Sequence, residues 1–130
     1  MRISFGVSRV VICAACLLLL AGIVSAGEKK LMHCFYFTVV EGASDADWQA
    51  FFKATDELPG KIPGLSHVWY GKLTRPLRVG EQVRQWGVCM EMADEAALQA
   101  YGAHPYHKEW EAAYFKVRQP GTTTVNFAGK

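Results

Sequence analysis

Two side chains that could transfer protons, Tyr101 and His107, stand six residues apart in the second half of the chain. Imidazole takes up or releases a proton near neutral pH, and a phenol can donate a hydrogen bond to an oxygen on which negative charge develops. A helix break at Pro105 could turn both side chains into one cavity. The alternative is that His107 braces the break and Tyr101 packs with a buried hydroxyl. The residues alone favour a structural or ligand-binding role over catalysis.

The other histidines are weaker candidates for chemistry. His33 shares a predicted strand face with Phe35 and Phe37, and a lone histidine on an apolar face is more often a core residue than a functional one. His104 precedes a proline and is expected to fix the turn, whereas His67 is isolated on a strand and expected to be exposed. No two histidines have the i,i+4 spacing, with a carboxylate partner, of a helical metal site. We therefore predict no metal, haem or other cofactor.

The simplest interpretation places a set of aromatic and aliphatic side chains in the hydrophobic core, although part of this set could line an apolar pocket. The candidates for ligand binding are His33, Phe35, Phe37, Phe51, Phe52, Trp86 and Val88. Fold class alone does not choose between these two roles.

The first 26 residues form a separate unit. Arg2 and Arg9 precede an apolar run of 15 residues, 10–24, and the small residues Ser25 and Ala26 follow it. This pattern is typical of a secretory signal peptide, and the run is shorter than the roughly 20 residues that span a bilayer. The alternative is an uncleaved N-terminal anchor. We expect cleavage near Ala26, export to the periplasm or the exterior, and no membrane association afterwards.

The charge balance excludes one class of partner. The full 130-residue chain has a net charge of +2. Removing Arg2 and Arg9 with the leader leaves 12 basic and 12 acidic residues in the remainder, 27–130. With a net charge of zero, no excess of basic residues is left to argue for binding to nucleic acid or anionic lipid, and neither partner is expected. Its length suits one domain with one core.

Two cysteines, Cys34 and Cys89, remain after the leader is removed. Each lies on a predicted strand, and a bridge is possible if the two positions are directly opposed on adjacent antiparallel strands. An exported protein permits such a disulfide. The alternative, two buried thiols, stays open.

The elements that must position these residues follow from periodicity and turn signals. Ser44, with Asp47 three residues later, is a capping-box-like start of a helix. Strands are predicted at 31–40, 65–73, 83–92 and 122–127, helices at 44–58, 94–101 and from Pro105 to a stop at Pro120-Gly121, and a polar hairpin loop at 74–82. The order β-α-β-β-α-β predicts an α+β, ferredoxin-like antiparallel sheet of strand order 4-1-3-2.

Within that plan the chain resembles the stress-responsive A/B barrel (Dabb) family, over about residues 31 to 127. The resemblance is carried by His33 entering the first strand, by the stop from Leu58 to Gly64 (LPGKIPG), by Gly71, and above all by Asp94-Glu95-Ala96-Ala97-Leu98-x-x-Tyr101-x-x-His104-Pro105-x-His107. It implies a homodimer in which two four-stranded sheets face each other as a barrel. A pocket then lies between sheet and helices in each subunit.

The family is functionally mixed, and one member, olivetolic acid cyclase, is a cofactor-free polyketide cyclase. The resemblance places the tyrosine and histidine of that cyclase on Tyr101 and His107, its first-strand histidine on His33, and a Phe-Phe-Lys stretch on residues 51–53. Two pocket groups differ, because a cyclase histidine corresponds to Trp86 and a tyrosine to Thr55. The same substrate is therefore not expected.

Three functional hypotheses follow. The first is an exported, non-enzymatic protein that binds an apolar or aromatic small molecule or is associated with stress. The second is a cofactor-independent cyclase or lyase acting on an apolar or aromatic carbonyl compound, with His107 as base and Tyr101 as hydrogen-bond donor to the oxyanion. The third is a cofactor-free monooxygenase of the antibiotic-biosynthesis type.

Overall fold

The computed structural model describes residues 30–129, so the predicted leader at 1–26 lies outside the described residues. The elements are β1 (Leu31–Val39), α1 (Asp45–Asp56), α2 (Leu58–Lys61), β2 (Leu65–Val79), β3 (Gln82–Met92), α3 (Glu95–Ala103), α4 (Pro105–Val117) and β4 (Arg118–Ala128). This order confirms the predicted α+β plan. None of the helices in this part of the chain is long and apolar enough to cross a bilayer.

The four strands form one antiparallel sheet of order β2-β3-β1-β4. The predicted neighbour relation of the first and third strands is therefore confirmed. β1 is central, and His33 lies opposite Met90 on β3 and Asn126 on β4. The helices cover one sheet face, and the other carries exposed apolar side chains such as Trp69 and Phe127.

The core lies between the sheet and the helices. Its fully buried side chains come from β1, β3, α1, α4 and the segments that join them, and burial of this apolar surface is the main favourable term in folding. The cluster consists of Leu31, Phe35, Phe37, Phe51, Leu58, Ile62, Leu65, Val88, Met90, Met92, Tyr101, Trp110, Tyr114 and Val117.

Helix α1 begins as predicted at a capping box. Ser44 Oγ accepts a hydrogen bond from the Asp47 backbone N–H, and Asp47 Oδ2 accepts one from the Ser44 backbone N–H. The predicted single helix to Leu58 is wrong, since α1 ends at Asp56 and α2 begins at Leu58. Pro59 lies in the first turn of α2, where its missing N–H would have no intrahelical partner anyway.

The loop after α2 brings the sheet and α3 close together. Gly64 has φ +84°, and a Cβ at this position would lie 2.6 Å from the Ala97 Cβ. Its carbonyl accepts a hydrogen bond of 2.7 Å from the Ala93 N–H. Glycine is therefore required here both by the backbone conformation and by the approach of α3.

The predicted polar loop at 74–82 is wrong over most of its length. Strand β2 runs to Val79 and β3 begins at Gln82, so the hairpin turn is short. Pro76 is tolerated because β2 is an edge strand, and the register shifts between Lys72 and Leu77. An edge strand can hold a proline that donates no ladder hydrogen bond.

The predicted stop at Pro120-Gly121 is also misplaced. Helix α4 ends at Val117, and Arg118 already belongs to β4. Pro120 and Gly121 lie within β4, the other edge strand, where Gly121 adopts φ +94° and the pairing with β1 is irregular. A bulge of this kind absorbs residues that a regular central strand would exclude.

Cys34 and Cys89 are directly opposed on β1 and β3 and form a disulfide, with the Cα atoms 4.1 Å apart. The bridge lies on the sheet face opposite His33. Of the two open alternatives, the structure therefore selects the cross-strand bridge.

Candidate functional site

A cleft of about 170 Å³ lies between the β1–β4 side of the sheet and helices α3 and α4. It contains both candidate proton-transfer residues. Its lining is aromatic in the middle and polar at both ends: His33, Phe35, Tyr101, His107, Trp110, Glu111, Tyr114, Phe115, Arg118, Thr122 and Thr124.

The junction between α3 and α4 brings Tyr101 and His107 together. Helix α3 ends at Ala103, and His104 caps α4 by accepting a hydrogen bond of 3.2 Å from the Tyr106 N–H through Nδ1. Pro105 occupies the first turn of α4, as helix starts favour. The Tyr101 and His107 rings consequently meet edge to face, with centroids 4.4 Å apart. The turn-fixing role expected of His104 is therefore present.

Tyr101 is buried at 4% exposure yet borders the cleft. Among residues 30–129 its hydroxyl makes no hydrogen bond. Burial, with the Glu111 and Tyr114 charges as smaller causes, raises the pKa of the Tyr101 phenol. The phenol therefore stays protonated at neutral pH and can donate a hydrogen bond to a group in the cleft.

His107 lies on the first turn of α4 with its side chain 17% exposed. Burial lowers the pKa of this imidazole from 6.5, and the nearby His33 acts in the same direction. Glu111 opposes them, since its Oε2 lies 3.8 Å from the His107 Nδ1. The net direction is downward, so His107 is neutral at pH 7 and able to accept a proton.

His33 borders the same end of the cleft. Its ring centroid lies 5.8 Å from that of Tyr101 and 5.6 Å from that of Phe35. Its Nδ1 lies 2.7 Å from the Asn126 Oδ1. An amide oxygen only accepts hydrogen bonds, so Nδ1 is the donor in this contact.

The middle of the cleft is a stack of aromatic rings held by the core. Trp110 and Tyr114 stack with centroids 4.8 Å apart, and Phe35 packs edge-on against both. The Trp110 indole donates a hydrogen bond of 3.0 Å to the buried Thr55 hydroxyl. These rings give the cleft an apolar wall of fixed shape.

The far end of the cleft is polar. The Tyr114 and Thr122 hydroxyls share a hydrogen bond of 3.2 Å. The Arg118 guanidinium lies over the Tyr114 and Phe115 rings, with Cζ 4.9 and 4.5 Å from the two centroids. Cation–π contacts of this length are favourable.

The predicted ligand-binding set divides in two. His33 and Phe35 line the cleft, whereas Phe37, Phe51 and Val88 are sealed in the core at 0–1% exposure. The reason is that α1 packs directly onto this part of the sheet and leaves no space for a ligand.

Phe52 and Trp86 also lie away from the cleft. They stack on each other at 5.8 Å, and Trp86 packs against Trp48 at 4.7 Å. This aromatic cluster fills the space between α1 and strands β2 and β3. The assignment of Phe52 and Trp86 to ligand binding therefore does not hold for this cleft.

Sequence reasoning missed two charged residues of the cleft, Glu111 and Arg118. Both follow His107 at spacings, four and eleven, that return to one face of a helix. This spacing could have indicated both residues, but Arg118 was predicted to lie inside the helix and not at its end. Among the described residues, no three His, Cys, Asp or Glu side chains come together as a metal site would need.

Comparison with known proteins agrees with this architecture. The family model described as "Stress responsive A/B Barrel Domain" matches residues 31–126. No curated protein matches the chain.

Several solved structures share the fold. A dimeric ferredoxin-like protein of unknown function from Jannaschia sp. CCS1 is 24% identical, with a TM-score of 0.60 over 75% of this chain and 97% of its own. A Dabb family protein from Mesorhizobium loti is 18% identical, with a TM-score of 0.59 over 76% and 95%. A hydroxynitrile lyase from Passiflora edulis is 10% identical, with a TM-score of 0.65 over 79% and 95%. At these identities the likeness establishes the fold alone.

Proposed function

The chain belongs to the stress-responsive A/B barrel family, and we propose that its cleft is a small-molecule site where His107 and Tyr101 perform acid–base chemistry on a carbonyl compound. The observation that carries the proposal is the contact between the two rings, 4.4 Å apart, at the wall of one cleft. A neutral imidazole and a protonated phenol are the complementary pair that enolate formation needs.

The chemical step follows from these two protonation states. The neutral His107 imidazole removes a proton from the carbon next to a carbonyl group. The electron pair of the broken C–H bond forms a carbon–carbon double bond, and the π electron pair of the carbonyl moves to its oxygen. The Tyr101 hydroxyl donates a hydrogen bond to the resulting enolate oxygen. The imidazolium then returns the proton to carbon or to a leaving group. The step involves no net oxidation or reduction, so the side chains themselves suffice for it.

The aromatic wall favours an apolar or aromatic substrate. Phe35, Trp110 and Tyr114 present ring faces and edges to the cleft. The volume of about 170 Å³ suits a small molecule and not a long polyketide chain. A lyase reaction on such a compound, or closure of a small ring, uses the same proton transfer.

One structural neighbour is described as a hydroxynitrile lyase. A reaction of that class fits the proposed pair, because His107 could take the hydroxyl proton while the bond to the nitrile carbon breaks. The electron pair of that carbon–carbon bond leaves with cyanide. The oxygen forms the new carbonyl group, which accepts a hydrogen bond from the Tyr101 hydroxyl. At 10% identity the neighbour supports the reaction class by analogy of fold only.

Binding without turnover is the second candidate. It is favoured by two positions where the resemblance to the cyclase would place a polar pocket group. Thr55 is fully buried and Trp86 packs against Trp48, so neither presents a polar group to a ligand in the cleft. A protein of this kind would hold an apolar or aromatic molecule against the same ring wall.

The test is hydrogen–deuterium exchange at the α-carbon of benzoylacetone and phenylacetone, followed by NMR in deuterium oxide. We expect His107→Ala to lower the enzymatic exchange rate by about a hundredfold or more and Tyr101→Phe by about a hundredfold. His67→Ala and Tyr106→Phe are matched controls, since both side chains lie outside the cleft. Ligand-induced shifts without exchange in the wild type would favour binding alone.

A homodimer is the assembly that we propose. The sheet face away from the helices exposes Trp69, Val125 and Phe127 at 51, 46 and 52%. An apolar patch of this kind on a sheet marks an interaction site. Support comes from solved structures of the same fold that are described as dimeric.

Export through a cleaved leader at residues 1–26 also remains a proposal. The basic start and short apolar run support it. The Cys34–Cys89 disulfide adds support, because such bridges persist mainly in oxidising compartments. N-terminal sequencing of the protein recovered from its native host, with Gly27 as the expected first residue, tests this proposal.

A further inference from the structure

Arg118 stands where α4 gives way to β4. It is the C-cap of α4, and its backbone N–H donates to the Tyr114 carbonyl. Its extended backbone, with φ −112° and ψ 145°, starts the strand. The side chain folds back over the Tyr114 and Phe115 rings and borders the polar end of the cleft. The position of the guanidinium is therefore defined by two aromatic rings.

The hydrogen-bonding capacity of this guanidinium is mostly unused. Nη1 donates a hydrogen bond of 3.2 Å to the Gln119 carbonyl. Nε is sealed from solvent and has no partner among the described residues. Within residues 30–129 no carboxylate lies within 4.0 Å of Arg118. A guanidinium offers five N–H donors in a planar fork that matches a carboxylate.

A hydroxyl hydrogen is available beside Arg118. Tyr114 and Thr122 share one hydrogen bond of 3.2 Å between their oxygens. Each hydroxyl has one hydrogen, so the group that accepts in this bond keeps its own hydrogen to donate. Both hydroxyls border the cleft. A second hollow on the other side of Arg118, lined by Val40, Phe115 and Pro120, has no other side-chain donor.

The two charges of the cleft are separated along α4. Glu111 lies one turn from His107, whereas Arg118 lies about two turns further on. Glu111 repels an anion from the His107 end, and Arg118 attracts one to the other end. The two ends of the cleft therefore differ in charge, and this difference would orient a ligand that carries an anionic group at one end.

We propose that Arg118, with the Tyr114–Thr122 hydroxyl pair, binds a carboxylate on the molecule that occupies the cleft. This inference rests on the proposed function, and it narrows the substrate class to carbonyl compounds that carry a carboxylate. The apolar part of the molecule packs against Phe35 and Trp110. The carboxylate at Arg118 then orients the reactive carbonyl toward His107.

The first test needs no mutation. Phenylacetate, 3-phenylpropionate and 4-phenylbutyrate, each beside its neutral primary amide, are titrated into isotope-labelled wild-type protein and followed by NMR. We expect at least one acid to bind about tenfold to a hundredfold more tightly than its amide. The largest shifts should fall at the junction of α4 and β4. Equal affinity for every acid and amide would overturn the inference.

Variants at Arg118 assign the preference to this side chain. Arg118→Met keeps an apolar stem for the two rings but removes the charge, so the preference for acid over amide should vanish. Arg118→Lys keeps the charge but loses the planar fork, and it should retain part of the preference. Near-UV circular dichroism checks that each variant keeps its aromatic packing. A preference for acid over amide that persists in Arg118→Met would overturn the assignment. If phenyl phosphate binds with the same affinity as the acids, the result would argue for a general anion site and against a carboxylate site.

The two proposals can fail separately. If the wild type exchanges the protons of benzoylacetone but binds acids and amides equally, only the Arg118 inference fails. If the acid preference depends on Arg118 while the wild type exchanges the α-protons neither of benzoylacetone nor of phenylpyruvate, a carbonyl compound that carries a carboxylate, the acid–base function fails and the carboxylate site stands. His107→Ala should lower the exchange rate by about a hundredfold or more and leave the acid preference in place.

Discussion

The Tyr101 and His107 rings meet edge to face, with centroids 4.4 Å apart, across the point where one helix ends and the next begins. The contact exists because His104 caps α4 and Pro105 starts it, which sets the angle between the two helices. A continuous helix would place residues six apart on faces about 120° from alignment with each other. Residues six apart do not share a face of a continuous helix, and the helix break is what brings Tyr101 and His107 to the same site.

The pH dependence of His107 is the first prediction. Burial lowers the pKa of His107 below 6.5 in the folded protein, so the unfolded chain takes up this proton first as the pH falls. The unfolded state then binds more protons than the folded one, and the free energy of unfolding decreases as the pH drops below about 6.5. The loss should level off below the folded-state pKa.

Two measurements check this behaviour. NMR titration of the His107 Cε1 proton should give a midpoint below 6.5, and base-dependent exchange should persist at pH values where an ordinary histidine is already protonated. In His107→Ala, urea denaturation at a series of pH values should show a weaker decrease of stability below pH 6.5. A titration midpoint at or above 6.5 would contradict the assignment of His107 as a neutral base.

The disulfide provides the second prediction. Cys34 and Cys89 are separated by 55 residues, so the bridge restricts the unfolded chain strongly. Cys34→Ala/Cys89→Ala should lower the free energy of unfolding by roughly 2–4 kcal/mol, measured by urea denaturation. Reduction of the wild type should produce a similar loss and leave the double variant unaffected. Alkylation of both cysteines in denatured but unreduced protein would show that the bridge is not formed.

The sequence predicted the order of elements well, because the sheet and helices differ clearly in periodicity. The central strands and the Ser44 capping box follow from alternation and turn signals. The opposition of Cys34 and Cys89 stayed open, because alternation within a strand does not fix the register between two strands. Apart from the division between α1 and α2, the errors fall on edge strands. Pro76 and Pro120 were interpreted as breaks, yet an edge strand has one side without ladder partners and tolerates proline.

The candidate site was predictable only in part. Tyr101 and His107 could be identified because their chemistry and the resemblance to a family point to the same two residues. The aromatic residues that line the cleft could not be identified, since residue type and spacing do not distinguish an aromatic side chain in a sealed core, such as Phe51, from one that lines a cleft. Arg118 was not predicted to line the cleft, because its position depends on where α4 ends. The ends of a helix are less well determined by sequence than its centre.

The open sheet face provides the third prediction. If this face joins two subunits, Trp69→Glu places a charge in an apolar interface and should convert a dimer into a monomer. Light scattering after size-exclusion chromatography measures the mass directly. Ala50→Glu adds the same charge on the exposed surface of α1 and should leave the dimer intact. A wild type that remains monomeric at micromolar concentration and above would refute the proposed assembly.

The last prediction concerns the hydrogen bond that holds the ring wall of the cleft. Thr55 is fully buried; its hydroxyl donates to the Phe51 carbonyl at 2.7 Å and accepts from the Trp110 indole at 3.0 Å. Thr55→Val keeps the shape but leaves a buried indole N–H without its acceptor, which should cost about 1–3 kcal/mol of stability.

Thr55→Ser is the matched control, because it keeps the hydroxyl and both hydrogen bonds while removing one methyl group. Urea denaturation gives the stabilities, and the NMR shift of the Trp110 indole N–H reports the bond itself. We expect this shift to move strongly in Thr55→Val and little in Thr55→Ser. Since Trp110 stacks on Tyr114 at 4.8 Å, loss of its anchor should also weaken binding of phenyl-substituted ligands in Thr55→Val alone. An indole shift that is the same in both variants would mean that the Thr55 hydroxyl does not hold the Trp110 ring in place.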